Sequence, residues 1–548
     1  MASMASALAG TSSRQLCTAY IALGSNVGDR HGNLLRAYRE LRSRGIGNVV
    51  TTSGLYQTKP QYVADQPMFL NAALRLDTSL PPALLLRALK DVERDIGRVE
   101  GQRWGPRVVD LDILLYGDVQ LEDDSEPGRG ADTAVPPSPD PPASPLSHLQ
   151  VPHPRMHERE FVLRPLADIA ATARHPALAL SVEEMLSNVR RAAGGGGDDV
   201  VRVLPLGPPR GSSGGGGGGG SSGSGSGSGG GGGDTPLWDM DGPTRVMGIL
   251  NVTPDSFSDG GRYYGGGVEA AVAHARAMAA DGADIIDIGG ESTRPGADDV
   301  EEAIELERVV PVVAALRAAG VTTPISVDTR RAAVARGAVR AGADLVNDVS
   351  GGAHDGAMLA AVAELGVPYV AMHMRGTPKT MTAMTDYADV VGDVTQALSA
   401  ASARAEAAGV PRWLQVLDPG LGFAKTAPQS VQLLAGLVRV AAATRCPLLV
   451  GPSRKRFVGA VAGGSGGAAG GGGGDSSSGS SSGSGGSSGG NALTLEDRDW
   501  GTAGAACAAA ERGARIVRVH HVRGVKHALR VVDAVRVAEA AALRRGDQ

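Results

Sequence analysis

The sequence predicts an α/β protein made of two folded blocks in series, the second of them a (β/α)8 TIM barrel. Three observations carry that prediction. Eight short apolar runs in the second half alternate with alanine-rich stretches of helical character. A polar side chain follows nearly every run. The glycine is concentrated in tracts between or inside the blocks. Strand and helix patterns in alternation indicate a parallel sheet covered by helices, and eight repeats are enough to close it.

The tracts set the boundaries. The chain has 80 glycines in 548 residues, about twice the usual ~7%. One nearly pure Gly/Ser stretch lies within 192–236 and another within 463–490. Neither offers side chains that could offset the entropy of ordering, so both are expected to be flexible coil. Residues 121–149, rich in Pro, Asp and Ser, read as an expanded surface loop. This leaves an ordered block at 16–191, a linker at 192–236, and a barrel block at 237–548 interrupted by the insert. Each block is long enough for its own core.

Composition removes several classes. There is no Gly-X-Y period, which excludes a collagen-like chain. No apolar run is long enough to span a bilayer. With 53 basic and 58 acidic residues the formal charge is −5, so neither nucleic acid nor an anionic membrane is an expected partner. Cys17, Cys446 and Cys507 are too few and scattered for a disulfide scaffold, and fit a reducing compartment. Residues 1–15 are Ala/Ser-rich without the apolar core of a signal peptide. An intracellular protein is expected, with cytosol and mitochondrion both open.

In the first block, Asp110–Leu115 alternates acid and apolar residues. On a strand, Asp110 and Asp112 share one face and Leu111 and Ile113 the other. Adjacent carboxylates repel unless a cation lies between them, and hard oxygen ligands suit Mg²⁺ completed by phosphate oxygens. A solvated strand face is the plainer alternative. Upstream, Arg98, Arg103, Trp104 and Arg107 bring three guanidiniums, either as clamps for a polyphosphate or as a salt-bridge network with the two acids.

In the second block the predicted strands are Val246–Val252, Ile285–Ile288, Ile325–Val327, Leu345–Val349, Tyr369–Met372, Leu414–Leu417, Leu448–Val450 and Ile516–Val519. Asn251, Asp287, Asp328, Asn347, His373, Asp418, Ser453 and His520 lie at their ends, where such barrels build active sites. Helix capping and turn chemistry would account for any one of them. Asn251, Arg294, Lys455, Arg518 and His520 would together bind an anion, and Asp328 and Asp418 a heterocycle with several N–H donors.

The first block resembles the 6-hydroxymethyl-7,8-dihydropterin pyrophosphokinases. The matching pieces are Ala22–Asn26, Phe69–Ala72, the run Arg103–Ile113, and Val151–Pro154 followed by Phe161. The resemblance implies a ferredoxin-like α+β domain that transfers pyrophosphate from ATP to the pterin hydroxymethyl group. It implies Mg²⁺ at Asp110 and Asp112, and stabilisation of the transferring group by Arg98 and Arg107. Glu93, Arg103, Trp104, His153 and Arg159 would hold ATP, and Thr58, Phe69, Asn71 and Phe161 the pterin. Glu100 departs from the family, standing where many members carry a second loop arginine.

The second block resembles the dihydropteroate synthases through Asn251–Gly261, Gly289–Gly296, Asp418–Phe423 and Ser453–Lys455. By that resemblance Asp328, Asn347, Asp418 and Lys455 bind the pterin ring. Asn251, Arg518 and His520 bind the pyrophosphate, with Mg²⁺ at Asn251. Thr293, Arg294 and Ser453 receive p-aminobenzoate, under a loop holding Asp255, Phe257 and Asp259. His521 stands where an acid is common. Together the blocks imply a bifunctional folate-biosynthesis enzyme acting on ATP, hydroxymethyldihydropterin and p-aminobenzoate, and a homo-oligomer formed through the barrel. The alternative is an active pterin-binding barrel with a non-catalytic N-terminal binding module.

Overall fold

The computed structural model describes residues 16–61, 65–99, 105–121, 149–193, 200–208, 234–253, 267–294, 296–463 and 493–546. They divide into two compact units. One holds the described residues up to Asp241 with Glu406–Leu414; the other holds Gly242–Ala405 and the chain from Gln415 onward.

The first unit is an antiparallel sheet with helices packed on it. Its strands are β1 (Cys17–Ser25), β2 (Asn48–Thr52), β3 (Leu55–Thr58), β4 (Phe69–Thr78), β5 (Asp110–Tyr116), β6 (Val200–Pro205) and β7 (Leu237–Asp239). They are ordered β5-β1-β4-β3-β6-β7, with β2 also on β4. Along β1, Ala19, Ile21 and Leu23 alternate inward and are buried, the period-2 pattern of a half-covered strand. Helices α1 (Arg30–Ser43) and α2 (Pro82–Ile96) follow β1 and β4. The second begins on Pro82 and ends at Gly97 with φ 111°, the usual asymmetry of helix ends. Helices α3 (Glu160–Ala170) and α4 (Val182–Ala192) bury Leu163, Leu166, Val182 and Met185 in a core shared with Leu114 and Leu115 of β5.

The structure differs from the sequence reading at the domain boundary. Residues 192–236 are not coil throughout: β6 pairs with β3 from Val200 to Val203, and β7, which falls within the range read as barrel, pairs with β6. The Val-Val-Arg-Val-Leu run of β6 has strand character, but the glycines upstream and the Gly/Ser tract downstream mask it. Its physical reason is that β3 would otherwise present an open edge. Residues 209–233 and 464–492, which hold most of the two Gly/Ser tracts, lie outside the described residues, as do residues 122–148.

The second unit is a closed barrel of parallel strands. These are β8 (Arg245–Asn251), β9 (Ile285–Gly289), β10 (Ile325–Asp328), β11 (Leu345–Asp348), β12 (Tyr369–Met372), β13 (Gln415–Asp418), β14 (Leu448–Val450) and β15 (Ala514–Val519), with β15 returning to β8. All eight expected runs form these strands. Among the described residues the α-helices that follow are α5 (Gly267–Ala280), α6 (Glu302–Ala318), α7 (Ala332–Ala341), α8 (Met358–Leu365), α9 (Val390–Ala408), α10 (Ala427–Ala435), α11 (Leu437–Thr444), α12 (Arg456–Ala462), α13 (Leu495–Glu511) and α14 (Val522–Gly546). Strands β9 to β14 are buried along their whole length, so they read as continuous apolar runs rather than alternating ones.

Leu204 of β6 is 1% exposed. Leu204→Asp would bury an unpaired carboxylate and cost several kcal/mol. Limited proteolysis is expected to cut the first unit while sparing the barrel. A silent substitution would mean that 200–205 behaves as linker.

Candidate active sites

In the first unit, β5 presents Asp110 and Asp112 on one face while Leu111 and Ile113 are buried on the other. Arg98 and Arg107 both donate to the Asp110 carboxylate. Glu93 of α2 is buried, and accepts from the Leu111 N–H at 2.7 Å and from Arg98 Nη1 at 2.6 Å. Lys90, one helical turn earlier, completes the cluster. Its Nζ lies 2.7 Å from Glu93 Oε1 and 3.7 Å from an oxygen of each of Asp110 and Asp112. Burial alone would raise the Asp110 pKa, but Lys90, Arg107 and Arg98 outweigh it and hold the group below the usual carboxylate range. For Glu93 burial wins and its pKa is raised.

Lys90 was not singled out by sequence. A lysine on an amphipathic helix carries no motif, and only its i,i+3 spacing to Glu93 points to it. It also supplies a test of the metal assignment. An ammonium equidistant from two same-face carboxylates shows that a cation fits there electrostatically. Among the described residues no set of three or more His, Cys, Asp or Glu is arranged as a metal cage. Mg²⁺ that draws most of its shell from phosphate and water does not need one.

The Gly-Ser-Asn piece at the end of β1 turns out to be a latch. Ser25 Oγ donates to Val108 O at 2.6 Å, and Asn26 Oδ1 accepts from the Arg107 N–H at 2.7 Å. These bonds fix the segment carrying Arg107 beside Asp110. Thr58 and Asn71 are buried together, Asn71 Nδ2 donating to Thr58 Oγ1 at 2.8 Å. Phe69 stands opposite Thr58 in the β3–β4 register. Arg159 lies over the Phe161 ring at 5.7 Å. His153 is anchored by its N–H to Leu114 O at 3.0 Å, and burial lowers its pKa although the Asp112 charge opposes this. Glu93, expected to help place ATP, has its carboxylate engaged by Leu111, Lys90 and Arg98. Arg103, Trp104 and Glu100 lie outside the described residues.

In the barrel, the strand ends bring a second charged group together. Arg518 of β15 donates through Nε to Asp287 Oδ2 and through Nη2 to Asp328 Oδ2, each at 2.6 Å. Asn347 Nδ2 donates to the same Asp287 oxygen at 3.1 Å. Asp287 was noted at a strand end but given no role. It is 1% exposed, and its Oδ1 has no hydrogen-bond partner among the described residues. Burial, and then the neighbouring Asp287 charge, push Asp328 up to about 7 against the opposing pull of Arg518. Arg518 itself is pushed up, the two carboxylates overcoming its burial.

Asp418, at the end of β13, is buried and raised in pKa by that burial. Its Oδ1 accepts from the Gly420 N–H at 2.7 Å. Gly420 has φ 68°, and a Cβ there would come 2.1 Å from His373 O, so only glycine closes this turn. Lys455 donates to Leu421 O and lies 4.4 Å from the centre of the Phe423 ring. Burial lowers its pKa to about 8. Lys425, another residue that sequence reasoning passed over, is buried with Nζ 2.9 Å from His373 Nδ1 and bonded to the carbonyls of Gly420 and Phe423. It ties the Asp418 loop to β12.

Ser453 and His520 form a pair, Oγ to Nδ1 at 2.8 Å, and burial lowers the His520 pKa to about 3, leaving it neutral. Thr293 is partly exposed and Arg294 exposed. Their loop is anchored by Glu291, which accepts from the Val300 N–H at 2.9 Å and from Arg330 and Arg331 at 2.7 and 3.1 Å. Asn251 ends β8 and is half-buried. Asp255, Phe257 and Asp259 lie outside the described residues.

Comparison with known proteins divides the chain in the same way. Residues 20–171 match the family described as 7,8-dihydro-6-hydroxymethylpterin-pyrophosphokinase, and 247–520 the family described as pterin binding enzyme. A mitochondrial folate synthesis bifunctional protein of Arabidopsis thaliana is 38% identical, covering 94% of this chain and 82% of its own. A second Arabidopsis thaliana folate synthesis bifunctional protein is 36% identical over 94% of this chain and 95% of its own. The dihydropteroate synthase of Synechocystis is 43% identical over 55% of this chain. A solved HPPK-DHPS structure in complex with substrates covers 95% of this chain with a TM-score of 0.66 at 20% identity, a likeness of fold.

Proposed function

We propose, because the chain belongs to the family of bifunctional folate-synthesis proteins, that it catalyses two consecutive reactions. The first unit transfers pyrophosphate from ATP to 6-hydroxymethyl-7,8-dihydropterin. The barrel condenses that product with p-aminobenzoate to give 7,8-dihydropteroate. The observation that carries the reading is the convergence, in separate units, of a cation-clamped Asp110–Asp112 pair and of Asp328, Asn347, Asp418, Lys455 and Arg518 at barrel strand ends. A first block that only binds would have no need of the Lys90–Glu93–Arg98–Arg107 cluster around Asp110.

In the first reaction the pterin hydroxyl oxygen bonds to the β-phosphorus of ATP and loses its proton, while the bond from that phosphorus to the AMP oxygen breaks. Arg98 and Arg107 answer the charge that develops on the transferring group, the largest contribution a protein makes to such a step. Asp110 and Asp112 would hold Mg²⁺, which when bound neutralises phosphate charge. Glu93 works through Arg98 and the β5 backbone, keeping the arginine aimed. Thr58 and Asn71 would pair with the pterin edge and Phe69 and Phe161 cover its faces. Arg103, Trp104, His153 and Arg159 would take ATP.

In the second reaction the bond from the pterin methylene to the pyrophosphate oxygen breaks, the arylamine nitrogen bonds to that carbon, and the nitrogen loses a proton. The pterin fragment becomes electron-poor as pyrophosphate leaves. Ionised Asp328 and Asp418 stabilise it, and Asn347 and Lys455 orient the ring. Arg518 and His520 receive the pyrophosphate, with Asn251 as the residue that would hold Mg²⁺ there. With Ser453 Oγ donating to Nδ1, the neutral His520 would carry its proton on Nε2 as a donor. Thr293, Arg294 and Ser453 would bind the arylamine carboxylate.

The same reading places the unit boundary after β7 and joins the two sites by a tether. It includes a homo-oligomer through the barrel, where Trp500, Val531, Val535 and Val537 of α13 and α14 are more than half exposed. No described helix is long and apolar enough to cross a membrane. An intracellular location is part of the proposal, with cytosol and mitochondrion both open: one Arabidopsis relative is named mitochondrial and another is not.

Asp112→Ala is expected to cut AMP release at least about a hundredfold while leaving dihydropteroate formation from pre-made pterin pyrophosphate intact. Lys455→Ala is expected to do the reverse. Loss of both activities in either variant contradicts two separate sites. The kcat/KM of the second reaction should rise with Asp328 ionisation near pH 7 and fall with Lys455 deprotonation near pH 8. Asp287→Asn removes a like charge beside Asp328, so its acid limb should move to lower pH while the alkaline limb stays. An unmoved acid limb rules out Asp328 as its source.

A further inference from the structure

A four-residue turn, Pro452–Lys455, follows β14 and is closed by the Lys455 N–H on Pro452 O at 3.3 Å. Its third residue, Arg454, has φ 55°. Turns with positive φ at that position normally use glycine or asparagine, because a Cβ is strained there. The residues on either side are Ser453, bonded to His520, and Lys455, bonded to Leu421 O. The strained residue therefore sets the directions of two side chains in the barrel site.

What holds Arg454 in this conformation is α13. Its guanidinium makes a two-pronged pair with Asp499, Nε to Oδ1 at 2.8 Å and Nη2 to Oδ2 at 3.0 Å. Its backbone N–H donates to Thr502 Oγ1 at 3.1 Å. Thr502 is fully buried and its hydroxyl donates in turn to Arg498 O at 2.8 Å. The helix is seated tightly: a Cβ at Gly501 would come 2.7 Å from Val458 Cγ1 of α12.

We propose that Asp499 and Thr502 form a clamp that keeps Arg454 left-handed and so positions Ser453 and Lys455 for the condensation reaction. The clamp touches neither substrate. This rests on the reading of Ser453 and Lys455 as arylamine and pterin contacts.

Glycine at 454 adopts the turn without strain, whereas alanine does not, and both lack the guanidinium. Steady-state kinetics from pre-made pterin pyrophosphate and p-aminobenzoate separate the cases. Arg454→Ala and Asp499→Ala are each expected to raise KM for both substrates roughly tenfold, with a smaller change in kcat. Arg454→Gly should recover most of that loss, and adding Asp499→Ala to Arg454→Gly should cost nothing further. Failure of Arg454→Ala to fold, with Arg454→Gly folded and active, reads the same way. Arg454→Gly as impaired as Arg454→Ala, or Asp499→Ala equal to the parent protein, overturns the clamp. A parent protein that forms no dihydropteroate overturns instead the reading on which the clamp rests.

Discussion

A carboxylate removed from water has to be answered by a positive charge, and both sites are organised around that requirement. In the first unit Asp110 is shared by Arg98 and Arg107, with Lys90 reaching toward it and Asp112. In the barrel a single guanidinium, Arg518, answers two carboxylates, Asp287 and Asp328. Removing one member of such a buried group is far more costly than the net worth of the group, because it leaves a charge unpaired. The cations proposed to meet phosphate are thus held by acids in this structure. Burial, and then the one negative charge in excess of the positive, keep Asp328 close to its protonated form.

Backbone geometry carries the next level of the design. The Asp418 loop depends on Gly420, whose close approach to His373 O leaves no room for a side chain, and on Lys425 bonding across it. The Ser453–Lys455 turn depends on a residue held left-handed from outside. In the first unit Ser25 and Asn26 do comparable work on the Arg107 segment. Asp110, Asp328, Asp418 and Arg518 sit on strands, whereas Arg107, Ser453 and Lys455 sit on short loops fixed by bonds from neighbouring elements, which is how such sites gain precision.

The legible part of the sequence was the part with a period or a spacing. Eight buried parallel strands read as eight apolar runs, and the Asp110–Asp112 alternation placed both acids on one face of β5. Strand β6 was hidden because a short valine-rich run is indistinguishable from linker when glycine tracts flank it, and its partner β3 lies more than 140 residues earlier in the chain. Lys90, Lys425 and the role of Asp287 are hidden for another reason. Each is defined by what it touches across the fold, and neither an aspartate in an apolar run nor a lysine on a helix or loop gives a sign of its partner. Glu93 is legible as a site residue, but its engagement with the Leu111 N–H is a tertiary fact that no spacing shows.

Arg518 is the counter-ion of two buried carboxylates in the ligand-free protein. Denaturant unfolding of the ligand-free protein, comparing Arg518→Met with Arg518→Met/Asp287→Asn, tests it most directly. The single substitution is expected to destabilise the barrel by about 3–5 kcal/mol, and neutralising Asp287 to restore much of the loss. Two substitutions whose costs simply add would contradict it.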